Sequence, residues 1–147
     1  MKRYILVIFL LISAFVLPAQ KSRPLSIGEI QILKSVVLNE DRTQNIYLPS
    51  GYDTSKSYPV IYVLDGSMNE DFLHITGLVQ FFNMMFSMPD CIIVGIANVD
   101  RKRDFTFHTD LKDLKKKYPT TGHSEAFIRF IETELQPFIN KQYKTNN

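Results

Sequence analysis

A chain of 147 residues with 45% apolar side chains is the size of one domain and can bury a core, and its single cysteine excludes an intrachain disulfide. Lys2 and Arg3 account for the formal charge of +2, since the other 15 of the 17 basic residues balance 15 acidic ones. Balanced charge leaves no electrostatic case for a nucleic-acid partner or an anionic membrane surface.

The chain opens with Lys2 and Arg3, an apolar run from Tyr4 to Val16, and Leu17-Pro18-Ala19-Gln20, which offers a small residue for cleavage after Ala19. This is the layout of a secretory signal peptide. Residues 1–19 are therefore expected to be removed, and residues 20–147 to be secreted or periplasmic. The apolar run is shorter than the ~20 residues that a spanning helix needs, so no stable membrane span is expected after cleavage.

Glu29 to Leu38 is rich in β-formers and partly alternating, Asn39 to Thr43 is polar and turn-like, and Gln44 to Leu48 is a short strand stopped by Pro49. The two strands read as an antiparallel hairpin. Ser50 to Ser57 is a loop. Tyr58 to Leu64 has a continuous apolar run, as expected of a strand covered on both faces. Asp65-Gly66-Ser67 ends it, with Gly66 expected to allow a sharp turn. Asp71 to Phe86 carries Phe72, Ile75, Val79, Phe82 and Phe86 near helical spacing. His74 is expected to be a partly buried packing residue on this helix, and Met84, Met85 and Met88 to fill core gaps.

Cys91 to Val99 is a second continuous apolar strand, and Cys91 is expected to behave there as a small buried hydrophobe. Asp100 to Gly122 is a long polar segment with a short helix near Asp110 to Lys117, where the three consecutive lysines are expected to be solvated. Ser124 to Tyr143 reads as a helix capped by Ser124 and kinked by Pro137, with an apolar face through Phe127, Phe130, Ile131, Leu135, Phe138 and Ile139. Lys144 to Asn147 is polar and expected to fray. Two antiparallel strands leading into strand, helix and strand make an α/β layout.

Several stretches, in order, resemble the putative-esterase family of the α/β-hydrolase superfamily, which includes esterase D, feruloyl esterases and siderophore esterases. They are IYLPSGYD from Ile46, YPVIYVLDG from Tyr58, FLHITGLVQF from Phe72, MPDCIIVGIANVDRKRDFT from Met88 and GHSEAFIRFIETELQPFINKQY from Gly122. Phe107 departs from the family, which more often has proline there. The resemblance implies a partial α/β-hydrolase fold, an N-terminal hairpin followed by parallel strands with a crossover helix. Family members continue with a strand and a G-x-S-x-G elbow that exposes the nucleophile, followed by acid and histidine partners. None of these is found before Asn147. The chain is therefore expected to be the N-terminal half of an exported serine carboxylesterase, inactive alone, with no cofactor and with a small-molecule or glycan-linked ester as the complete enzyme's substrate. The alternative is a non-catalytic secreted α/β binding module.

Gly122-His123-Ser124-Glu125-Ala126 imitates a nucleophile motif, but Ala126 stands where the final glycine belongs, a loop precedes it, and no histidine follows. Ser124 is expected to start a helix and not to attack an ester. His108, Asp110 and Asp113 lack the spacing of a recognised zinc motif. By resemblance, the backbone N–H of Ser67 is the catalytic group that remains, as one donor to the oxyanion of the tetrahedral intermediate. Asp100, Arg101, Arg103 and Asp104 follow the second buried strand, where ligand crevices form. Arg101 or Arg103 is expected either to contact an acidic or sugar substrate or to order the loop through Arg–Asp pairs.

Overall fold

The computed structural model describes residues 22–146, so the expected signal segment Met1–Ala19 lies outside the described residues. Four strands form one mixed sheet: β1 (Glu29–Ser35), β2 (Glu40–Tyr47), β3 (Val60–Val63) and β4 (Ile92–Ile96), in the spatial order β1-β2-β4-β3. β1 with β2 and β2 with β4 are antiparallel, and β3 with β4 is parallel. The continuous apolar run of β4 follows from its place inside the sheet. Side chains of a strand alternate between faces. Ile92, Val94 and Ile96 join Ile46 in one core, while Ile93 joins Tyr47 and Cys91 in the other. Both faces are covered, so no position on β4 needs to be polar.

One face is covered by α1 (Phe72–Met84), which buries Phe72, Thr76 and Val79 along a single stripe. The opposite face is covered by the C-terminal helical segment through Phe127, Phe130, Leu135 and Ile139, with Tyr58 and Tyr143 completing that core. The result is an α/β fold of three layers. α1 is the one long helix on its face among the described residues, so its remaining sides stay in solvent. His74 is exposed, against the expectation of partial burial. Met84 and Met85 are 64% and 56% exposed and do not fill the core, whereas Met88 packs against it. Phe86, at φ 55°, terminates the helix in the left-handed region and is 98% exposed.

β2 begins earlier than the polar residues suggest. The reversal falls at residues 36–39, closed by Asn39 at φ 52°, and Glu40 to Thr43 are already paired with β1. Two of these residues, Glu40 and Arg42, are polar because they belong to an ion network described below, and Asp41 is exposed. The reversal is held from a distance by Glu134. Its Oε1 accepts the N–H groups of Val36 at 2.9 Å and Val37 at 3.0 Å, and its Oε2 accepts the Ser35 hydroxyl at 2.5 Å. Glu134→Ala is expected to lower the unfolding free energy by about 1–3 kcal/mol by removing the acceptor of three donors. Urea denaturation checks this, and an unchanged midpoint would contradict the assignment.

The helix from Ser124 is divided into α4 (Ser124–Phe130), a π-helical turn at Ile131–Leu135, and α5 (Gln136–Gln142). Pro137 explains the wide turn. Proline has no N–H and crowds the carbonyl four residues back, and a π turn relieves that crowding without breaking the helix. The Gln136 N–H reaches back five residues to the Ile131 carbonyl. The expected kink is thus a local widening. Ser124 is the first helical residue and not the cap. His123 occupies the cap position and makes no side-chain capping bond.

The polar tail is tied down, contrary to expectation. The Tyr58 N–H donates to the Lys144 carbonyl at 3.0 Å, and the Asn146 N–H donates to the Tyr58 carbonyl at 2.8 Å. Tyr58 and Thr145 thereby form a parallel bridge just before β3. The Lys144 N–H also donates to the Tyr52 hydroxyl at 2.8 Å.

Candidate active site around the turn after β3

β3 and β4 run parallel, so their carboxyl ends lie side by side, and the turn after β3 is pinned to β4 and β2. The Gly66 N–H donates to the Ile96 carbonyl at 3.0 Å, and the Asn45 side-chain amide donates to the Gly66 carbonyl at 2.7 Å. Gly66 is not the residue that reverses the chain. Asp65 takes the left-handed backbone, at φ 52°. Gly66 is required by space instead. A Cβ there would sit 2.4 Å from Gly95 Cα, and one at Gly95 would sit 2.6 Å from the Gly66 carbonyl oxygen. Gly66→Ala or Gly95→Ala is expected to destabilise the domain by at least about 1–3 kcal/mol, since backbone must move in either case. A thermal melt within a degree or two of wild type would contradict this close approach.

Ser67 is half-buried, and its N–H points to Glu70, whose Oε2 lies 3.3 Å away. Asn98, just beyond β4, donates its side-chain amide to Glu70 Oε1 at 3.0 Å and Oε2 at 3.2 Å, and to Asp65 Oδ1 at 2.7 Å. Arg101 grips the Asp65 carboxylate through two bonds, Nε to Oδ1 at 2.7 Å and Nη2 to Oδ2 at 3.0 Å. The Arg101 guanidinium holds the Asp65 carboxyl below its ordinary value, and hydrogen bonding to Ser67 and Asn98 does the same for Glu70. An open groove of about 550 Å³, lined by residues including Leu25, Ile27, Tyr47, Met68 and Leu73, reaches the residue after Ser67.

Four of the five charged residues from Asp100 to Asp104 divide by role. Arg101 is 55% exposed and faces the Ser67 turn through Asp65. Arg103 turns the other way. Its guanidinium donates to Glu40 at 2.9 and 2.5 Å and to Asp104 at 2.7 Å. Asp104 is buried and accepts Arg42 Nη1 at 2.7 Å. Asp100 caps α2 (Arg101–Asp104) through the Arg103 N–H. Arg103 and Asp104 therefore order the loop, and Arg101 alone of the two candidate arginines borders the turn. The stretch Gly122 to Ala126 does not form an elbow. Ser124 follows Gly122, which has φ 101°, and its N–H donates to the Thr106 carbonyl at 3.0 Å. His108 pairs with Asp110 at 3.1 Å on an exposed loop, and Lys115 to Lys117 are exposed on α3 (Lys112–Lys117). Cys91 is buried, and burial pushes its thiol pKa up.

The sequence reading did not single out Glu70 or Asn98. The spacing Ser67-x-x-Glu70 was an available signal, because a glutamate three residues after a serine reaches back to its N–H at helix starts. Asn98 carried no signal beyond following a buried strand.

The sequence profile of the family described as Putative esterase matches residues 35–147. The chain belongs to this family. Among its relatives, the ferri-bacillibactin esterase BesA of Bacillus subtilis is 32% identical over 133 residues, which covers 79% of this chain and 45% of BesA. The structure of an IroE-like serine hydrolase from Shewanella oneidensis superposes with a TM-score of 0.72 at 39% identity, over 81% of this chain and 40% of that one. The BES protein from Bacillus cereus superposes with a TM-score of 0.68 at 27% identity, over 88% of this chain and 52% of that one. The chain thus spans about half the length of the relatives it matches or less. Among the described residues, no helix is long and apolar enough to cross a membrane, and no group of three His, Cys, Asp or Glu could hold a metal ion.

Proposed function

We propose that these residues form the first half of an exported serine carboxylesterase domain. The family match across residues 35–147 carries this reading. A serine supplied by polypeptide beyond Asn147 attacks the ester carbonyl, a histidine takes its proton, and the alcohol leaves from the tetrahedral intermediate. Water then releases the acid from the acyl-serine. The Ser67 N–H is one donor to the oxyanion, held at the mouth of β3 and β4 by Gly66, Asn45 and Ile96. Such donors work because they are oriented before charge develops. The apolar groove reaching Met68 offers room for one side of the substrate, and no step calls for a metal or organic cofactor. Siderophore esters are the first substrates to try, given the relative that acts on ferri-bacillibactin.

The test has two arms. Residues 20–147 alone are expected to show no turnover of p-nitrophenyl acetate and no labelling by a fluorophosphonate; stoichiometric labelling of Ser124 would overturn that. The coding DNA read past Asn147 is expected to continue into a strand and a G-x-S-x-G turn, and the whole product to hydrolyse esters. A stop codon directly after Asn147 would refute the reading in favour of a binding module. Export is checked by N-terminal sequencing, which is expected to find Gln20 first.

A further inference from the structure

We propose that Asn98 is a second oxyanion donor, whose side-chain amide converges with the Ser67 N–H on one oxygen position now held by Glu70 Oε2. This rests on the esterase reading of the Ser67 turn. The donors come from different elements, Ser67 from the turn after β3 and Asn98 from the end of β4, and they lie 3.3 and 3.2 Å from the same oxygen. A capping turn explains why Glu70 reaches back to Ser67. It does not explain why a side chain from the loop beyond β4 meets the same carboxylate.

The orientation of Asn98 is fixed by its partners. Both groups facing it, Asp65 and Glu70, are carboxylates, which accept hydrogen bonds and cannot donate when ionised, so the NH₂ end of the amide must face them. One proton goes to Asp65, itself clamped by two bonds from Arg101, and the other faces the Glu70 carboxylate, 3.0 Å from Oε1 and 3.2 Å from the shared Oε2. Two N–H groups set in advance around one oxygen meet the requirement for stabilising a tetrahedral intermediate. Glu70 is exposed and sits on the surface side, so its carboxylate can swing out and let a substrate carbonyl take its place. Its oxygen stands in for the substrate's.

The test is an NMR titration of the ¹⁵N-labelled chain carrying Val60→Lys, which keeps the sheet edge from pairing. The charged groups facing Glu70 are Asp65 and Arg101. As pH falls, the Ser67 N–H and the Asn98 side-chain resonances are expected to move together, with a midpoint below the ordinary glutamate value. In E70Q the Ser67 response should vanish, while Asn98 keeps the part due to Asp65. In E70A, added acetate is expected to shift both signals with one dissociation constant. Adding N98A to E70A should weaken acetate binding at Ser67 about tenfold, the worth of one hydrogen bond to a charged group. Ser67 responding to acetate equally with and without Asn98, or an Asn98 signal with no phase at the Ser67 midpoint in wild type, would overturn the proposal and leave a helix-capping turn. None of these measurements depends on turnover. A cradle that binds acetate, together with a complete protein carrying the G-x-S-x-G turn that hydrolyses no ester, would refute the esterase reading alone.

Discussion

Replacing Arg42 with alanine is expected to lower the stability of the domain by about 3–5 kcal/mol, the scale for removing one partner of a buried ion pair. A domain of this size has only about 5–15 kcal/mol in total, so the variant should be largely or wholly unfolded under mild conditions. Arg42 is fully buried. It donates to Asp104 at 2.7 Å, to Glu40 at 2.9 Å and to the Ala97 carbonyl at 3.2 Å, and its guanidinium lies 5.2 Å from the Phe127 ring centre and 5.6 Å from that of Phe130. Without it, Asp104 stays buried with only Arg103 as a cationic partner. Arg103→Ala should cost less, about 1 kcal/mol, because Arg103 is partly exposed and Asp104 would keep Arg42. The paired replacement of Arg42 by Met and Asp104 by Leu should recover much of the loss, because apolar side chains need no desolvation partner. Arg42 Nε, buried with no acceptor, is one reason the native arrangement is not optimal. Urea denaturation of the three variants decides the matter, and equal midpoints for R42A and R103A would refute the ranking. The network also sets a pH dependence. Hydrogen bonding from Arg103 holds the Glu40 carboxyl below its ordinary value of 4.5. A depressed folded-state pKa adds stability above the unfolded value, and that stability is lost as pH falls through the folded pKa. The contribution of Glu40 should therefore be complete near neutrality and decline only below 4.5.

Residues 20–147 alone are expected to pair through β3 into dimers or larger aggregates at concentrations on the order of 10 µM. β3 lies at the edge of the sheet, and its four residues are only half-buried although apolar. Val60 and Tyr62 lean on one core and Ile61 and Val63 on the other, so the strand has the side chains of an interior position and the backbone of an edge. Such an edge is a template for another chain. The bridge at Thr145 covers only Tyr58, ahead of the strand. Val60→Lys should shift the population to monomer, as edge lysines do in natural sheets. Light scattering after size exclusion measures this. A wild-type chain that stays monomeric with a cooperative melt would refute it.

The buried strands, the crossover helix and the long C-terminal helix were readable because each is made by a pattern that burial imposes directly. β4 is apolar on two faces, α1 carries Phe72 and Val79 on one stripe, and Phe127 to Ile139 face the sheet. The start of β2 is hidden in the sequence for a specific reason. Arg42 looks like a turn residue until its partners are known, and those lie across the chain at Asp104 and Ala97. The order of the tail is hidden in the same way, since its hydrogen bonds go to Tyr58 and Tyr52, far away in sequence. At the candidate site, Gly66 is visible in the sequence as a turn residue, but its closeness to Gly95 is invisible without the sheet order. Ser67 stood out by resemblance, while Asn98 joins it only through the parallel pairing of β3 with β4.

The wide turn at Ile131–Leu135 acts as a spacer of fixed phase. Deleting one residue there would restore a regular helix in the same phase, but straightening the turn with every residue kept would rotate everything after it by roughly 100° relative to the sheet, the angle per residue of an α-helix. Ile139 and Tyr143 would leave the core, and Lys144 to Asn146 would no longer meet Tyr58. The alignment between the edge strand and residues 144–146 is therefore indexed by a single residue of surplus length in one turn.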